Sequence, residues 1–420
     1  MRLSALRLFA LRLYRSIWFL PSAYAAASVL VLALAPVFGE LMPRGAERLL
    51  TAEALETILS ILASSMLAVA IFSLGTMVSS LEAAASAATP RARVLLTQDR
   101  TAQRAISTFI GAFIFSILGI IGLSTGIYDA PSAACIFIAT ILMIIIVIVM
   151  LISWIKRLSE IGGVGEVVKL VEKATKASLA DLANDPLYGG VPCRKAPEES
   201  HAVPLKRPGY VQYINAESLT ALAEKEAIDL YLVGRPGDYY AEESPILHSS
   251  KPLEEEVLER ARACFVIGDE RTFEADPRFG LLTLSEIASR ALSPAVNDPG
   301  TAIHSLDATV RVFRKLVQST DQRDEKAARR SERLHVVPAD SAAFIHDGFR
   351  AIARDGAAHR EVCIHLQKSL AEVKSLDTKT FGEIAEDMSR EAMKRAEHGG
   401  LFAEDLDALA NTRKELGLKD

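Results

Sequence analysis

Ser293, Asn297, Asp298, Thr301 and His304 stand close together in and just after the stretch Ser293–Pro294–Ala295–Val296–Asn297–Asp298–Pro299–Gly300–Thr301–Ala302. An aspartate followed by proline fits a helix cap followed by the proline that opens the first turn. A helix start offers unpaired N–H groups and the positive end of the helix dipole. If the five side chains converge there, they form a site for an anion or a small polar ligand. If Asp298 only caps its helix, the stretch is a helix start and nothing more. Asp276–Pro277–Arg278–Phe279–Gly280 repeats the same device upstream.

A second group is Ser65, Ser73, Thr76 and Ser80, set in an otherwise apolar run. Ser73, Thr76 and Ser80 follow the i, i+3, i+7 spacing of one helix face, and Ser65 falls near it. Inside a membrane such a stripe either lines a wet pathway or lets helices approach closely. Ser107-x-x-x-Gly111 and Gly122-x-x-x-Gly126, with Gly119 between them, leave the same two readings open.

Familiar catalytic spacings are absent. The four cysteines, Cys135, Cys193, Cys264 and Cys363, form neither a zinc pattern nor a disulfide framework. The eight histidines are scattered, and no phosphate-cradling loop, nucleophile elbow or His-Glu-x-x-His occurs. No cofactor and no metal site are expected. An enzyme built on Ser293, Asn297, Asp298 and His304 has the least support.

The elements that must hold these residues follow from how charge is distributed. Residues 1–155 carry 17 charged side chains, and the other 265 residues carry 82. The first 155 residues contain ten arginines and no lysine. Within them lie four uncharged, mostly apolar windows, 16–39, 57–81, 105–128 and 130–155. Each exceeds the ~20 residues that a helix needs to cross the hydrocarbon core. Four transmembrane helices are predicted, the last two joined by a tight turn near Asp129. No ionisable residue sits in mid-span, which argues against a proton-coupled carrier or a voltage sensor.

Orientation follows the arginines. Arg2, Arg7, Arg12 and Arg15 precede the first span, Arg91, Arg93, Arg100 and Arg104 separate the second and third, and Lys156 and Arg157 follow the fourth. The other side has Arg44 and Arg48 among four glutamates. Both termini and the 156–420 region are therefore expected in the cytoplasm of a bacterial-type cell, with the spans in the inner membrane. Residues 1–15 read either as a helix lying on the inner leaflet or as a topology signal alone. A cleaved secretory signal is the alternative for the first span, with Ala33–Leu34–Ala35 as its cleavage site.

The cytoplasmic half carries net charge −8, from 37 basic and 45 acidic residues, which disfavours nucleic acid as a partner. Its predicted organisation is a helical connector and Pro/Gly-rich linker over 158–208, a small β-rich module over 209–270, and a mainly helical domain over 271–420. The membrane domain takes 1–157. Gly234–Arg235–Pro236–Gly237–Asp238 reads as a turn. With its flanking strands the module resembles small barrels of the lipoyl/biotinyl type, without their modified lysine. The fold class is thus membrane α-helical with four spans, plus a cytosolic α+β region.

Four motifs carry a wider resemblance. They are Thr89–Pro90–Arg91 with Asp99–Arg100 and Gln103, Gly209–Tyr210–Val211–Gln212, Asp276–Pro277–Arg278–Phe279–Gly280, and the 291–302 stretch. Together they resemble a predicted membrane protein family of unknown function, domain-of-unknown-function family 2254. The resemblance implies four amino-terminal spans and a cytosolic domain, and no activity. The leading expectation is a homo-oligomeric ion channel or pore lined by Ser65, Ser73, Thr76 and Ser80 and regulated by its cytosolic domain. The alternative is a membrane-anchored scaffold or sensor. Expected partners are the lipid bilayer, further copies of the chain, and an ion or small cytosolic ligand.

Overall fold

The computed structural model describes residues 19–39, 52–97, 100–160, 163–322 and 331–419. Residues 1–15, Arg44 and Arg48, Gly162 and much of the charge-dense stretch before Arg333 lie outside them. The chain divides into two compact units, Met1–Glu166 and Val167–Asp420.

The first unit contains α1 (Phe19–Gly39), α2 (Ala52–Ala87), the short α3 (Arg93–Thr97), α4 (Arg100–Ser124) and α5 (Ala130–Glu160). Helices α1, α2, α4 and α5 are long and apolar enough to cross a membrane. The small residues of α4 explain its central place, packed against α1, α2 and α5. A Cβ on Gly111 would lie 3.1 Å from Tyr24 Cβ, one on Gly119 3.1 Å from Leu59 Cδ1, and one on Gly122 2.1 Å from a Tyr128 ring carbon. The buried Ser28 hydroxyl of α1 donates to the Gly111 carbonyl at 3.0 Å. Glycine here lets neighbouring helices come close. Of the apolar window of α4, 56% is buried within the chain, against 17% for α5. The exposed Ile145, Ile148, Val149 and Ile152 of α5 are the kind of surface that lipid covers.

Between α2 and α4 the chain turns through a compact elbow. Thr89 caps a single turn at Pro90–Ala92, accepting from the Arg91 N–H at 3.4 Å. Ala88, Ala92 and Leu96 are buried beneath it. The buried Gln103 side chain donates to the Thr97 carbonyl at 3.0 Å and ties α3 to α4.

The second unit holds most of α6 (Val164–Asn184), two sheets and a helical bundle. In chain order its further elements are β1 (Val191–Pro192), β2 (His201–Pro204), β3 (Gly209–Ile214), α7 (Ala216–Lys225), β4 (Leu230–Leu232), β5 (Tyr239–Tyr240), β6 (Pro245–Ser249), α8 (Glu255–Arg262), β7 (Phe265–Gly268), α9 (Pro277–Ala291), α10 (Pro299–Asp321), β8 (Leu334–Val336), α11 (Ser341–Asp355), α12 (Arg360–Leu376), α13 (Thr378–His398) and α14 (Ala403–Glu415). One sheet has the order β1-β8-β4-β6-β2 and the other β5-β3-β7.

These are two sheets, not the small barrel that the turn pattern resembles. β1 and β8 lie outside 209–270 and add a parallel run, β1-β8-β4, to the larger sheet. Leu230, Leu232, Leu334, Val336 and Leu247 form its core face with Val203 and Leu219. The opposite face carries His335 stacked on Tyr231 (4.7 Å between ring centroids), with His248 beside it in register. Residues 193–200 must join the two outermost strands, β1 and β2, and so cross this face. The Cys193 N–H donates to Val336 O at 2.9 Å at one side, and the Ser200 hydroxyl contacts His248 Nδ1 at 3.2 Å at the other. The stretch with linker chemistry is a strap laid over the sheet.

Candidate functional site

The two groups predicted from sequence have different fates. In the 291–302 stretch, Asp298 and Thr301 come together. Asp298 Oδ1 accepts from the Thr301 N–H at 3.0 Å, and Oδ2 accepts from the Thr301 hydroxyl at 2.6 Å. These bonds hold the Asp298 carboxyl below its usual range. Asn297 takes the left-handed φ of +50°, and its N–H donates to Ser293 O at 2.8 Å. The half-buried Ser293 hydroxyl and His304 ring do not join them, and residues 294–298 are exposed. Asp298 acts as a helix cap.

On α2 the hydroxyl face is split. Ser73 is fully buried and its Oγ finds no hydrogen-bond partner among the described residues. Ser65 is exposed, and its hydroxyl returns to Ile61 O at 2.7 Å. Thr76 and Ser80 are half-buried, and Thr76 Oγ1 returns to Phe72 O and Ser73 O at 3.1 and 3.0 Å. In lipid, a hydroxyl that bonds its own helix has no need of water.

The structure instead brings together residues from two sequence motifs. The turn at Gly234–Asp238 meets the start of α9. Gly237 has φ +92°, and a Cβ on it would fall 2.1 Å from Asp276 Oδ2. Asp276, 2% exposed, caps α9 through the Phe279 N–H at 3.1 Å and takes two bonds from Arg271, at 2.7 and 3.1 Å. Arg278 pairs with Asp347 of α11 at 2.7 Å. Asp238 accepts from the Arg235 backbone N–H at 3.1 Å and closes the turn on itself.

Burial dominates the electrostatics here. It pushes Asp276 and Asp238 above the usual carboxylate range, against the pull of the nearby arginines. It also lowers Arg235, whose Nη2 is buried and finds no hydrogen-bond partner among the described residues. Tyr188, at a left-handed φ of +52°, and Tyr240 are each pushed up to about 12. Three guanidiniums face three carboxylates, so the cluster is close to neutral. It can hold a proton or pair with a charged group. Sequence reasoning reads both motifs as a turn and a helix start. The signal it passes over is the oppositely charged pair carried by each, Arg235 with Asp238 and Asp276 with Arg278.

Comparison with known proteins agrees with the sequence motifs. An uncharacterized protein of Mycobacterium bovis (Mb1321c) is 34% identical over 184 residues, covering 41% of this chain and 35% of its own length. Uncharacterized protein Rv1290c of Mycobacterium tuberculosis gives the same figures. The chain thus matches about a third of the length of these curated relatives. No solved structure matches it. The family described as "Predicted membrane protein (DUF2254)" matches residues 14–372, and the chain belongs to that family, whose function is unknown.

Proposed function

We propose that the chain is a membrane-anchored sensor or scaffold, held in an inner membrane by α1, α2, α4 and α5, with its second unit and both termini in the cytoplasm. The observation that supports this best is the way α4 is packed. Tyr24, Leu59 and Tyr128 fill the space over Gly111, Gly119 and Gly122, so the small residues of the third span serve contact, not a channel. The polar groups with unusual electrostatics lie instead around Arg235 and Asp276. The arginine pattern at the span ends supports the orientation.

The pore keeps a place as the second reading because of α2. Ser65, Thr76 and Ser80 remain at least partly exposed, and a Cβ on Gly75 would meet nothing within 4 Å. A ring of chains meeting through α2 would bring these residues to a common axis.

Ion flux through liposomes holding the full chain separates the two. The anchor reading expects flux equal to that of empty liposomes. Flux that disappears in the Thr76→Leu, Ser80→Leu variant replaces it with the pore.

A further inference from the structure

The elbow between α2 and α4 has a locked underside and a charged outer side. Its underside is Ala88, Ala92, Leu96 and Gln103, all buried. Its outer side carries Arg91, Arg93, Arg100 and Arg104, all exposed, with Val94 50% exposed among them. Arg100 and Arg104 are one turn apart on α4 and share a face. Glu82 and Asp99 are the acidic residues of this stretch. The elbow joins two helices able to cross the bilayer, so it sits at headgroup depth when they do. The end of α5, with the exposed Lys156, lies at the same end of the bundle.

Residue choice adds a second observation. Either cation satisfies a topology signal. Yet all ten cations of residues 1–155 are arginine, whereas 16 of the 37 in the rest of the chain are lysine. Arginine differs in its planar fork of donors, which binds phosphate through two parallel bonds where lysine offers a point charge. An exposed valine among such forks suits a surface that meets acyl chains below and phosphates above.

We propose that Arg91, Arg93, Arg100 and Arg104, on the described residues either side of the turn from α3 into α4, bind the phosphate headgroup of an anionic phospholipid. The site rests on the four helices spanning a bilayer and is independent of whether the chain senses or conducts. The cap at Thr89 and the Gln103 tie order the backbone on either side of the elbow before lipid arrives, which reduces the ordering cost of binding.

The test uses the full chain in detergent micelles doped with phosphatidylglycerol or phosphatidylcholine. Bound lipid is counted by native mass spectrometry and thermal stabilisation is followed in parallel. Wild type is expected to retain and be stabilised by phosphatidylglycerol over phosphatidylcholine. Changing all four arginines to lysine preserves charge and orientation and is expected to weaken phosphatidylglycerol binding about tenfold. Circular dichroism checks that helix content is kept, and the single changes Arg93→Lys and Arg104→Lys give the reading if the quadruple variant does not fold. Undiminished binding in the lysine variants overturns the proposal in favour of general charge attraction. Equal stabilisation by inorganic phosphate overturns it in favour of a free-anion site. Equal retention of the two lipids overturns it outright. A chain that stays in solution without detergent would instead overturn the membrane reading.

Discussion

The Thr175 side chain of α6 occupies the place where a Cβ on Gly280 of α9 would be, with Oγ1 1.9 Å from that position. Thr175 cannot step aside, because it is fully buried and its hydroxyl donates to Val171 O at 2.6 Å. The glycine of Asp276–Pro277–Arg278–Phe279–Gly280 thus sets how closely α6 approaches the bundle. We expect Gly280→Ala to destabilise the second unit by about 2 kcal/mol through overpacking. Adding Thr175→Ala removes two of the three crowded atoms and should recover part of the loss. Thermal melts of the single and double variants give the coupling.

Asp276 unites three duties, and substitutions can separate them. Asparagine keeps an acceptor for the Phe279 N–H but removes the charge facing Arg271. A buried pair broken on one side costs about 3 kcal/mol. The Asp276→Asn chain should therefore melt well below wild type. Combining it with Arg271→Met should cost less than the two single changes added together. Additive losses would show that Arg271 and Asp276 do not act as a pair.

Glu172 of α6 predicts an acid-sensitive contact. Burial pushes its carboxyl up, but the hydrogen bonds from Arg311 (2.9 and 2.7 Å) and Lys176, with their charges, outweigh it and hold the group below its usual 4.5. A group whose folded value is depressed contributes stability above its unfolded value, and loses it as pH falls through the folded value. The α6–α10 contact should thus be at full strength at neutral pH and weaken as the medium is acidified below about 4.5. Glu172→Gln should remove that part of the acid response. A pH series of melts showing the same slope in both proteins would contradict this.

Asp298 is expected to matter as a cap and no further. Asp298→Ala should cost about 1 kcal/mol, and Asp298→Asn much less, since asparagine caps nearly as well. A large loss with asparagine would point to a role for the charge that the geometry does not provide.

The four long apolar helices were legible because composition alone marks a helix able to cross a membrane: residues 130–155 hold no charge at all. Helix starts at Asp276 and Asp298 were readable where the capping side chain and the helix pattern coincide, and the two carboxylates bond the Phe279 and Thr301 N–H groups. The larger sheet was not. β1 and β8 are two and three residues long, and they pair across more than a hundred positions of sequence. So short a strand has no periodicity to detect, and its partner is fixed by tertiary packing. The Arg235–Asp276 cluster failed to appear for the same reason, since its charged residues come from separate elements that only the fold brings together. Ser73, Thr76 and Ser80 do share a helix face, but spacing does not say which neighbour that face meets.

The strap over the larger sheet has a consequence for how this family can vary. Four strand spacings separate β1 from β2, roughly 19 Å, and the eight residues 193–200 reach at most about 28 Å. Its length is thus a gauge of the sheet's width. Losing three or four residues would make the crossing impossible and strip an edge strand from one side. Extra residues would only lengthen the arc, at a cost that grows with the logarithm of its length. Relatives that keep all five strands should therefore tolerate insertions between Cys193 and Ser200 far more readily than deletions, although the segment's composition suggests a spacer free to change in either direction.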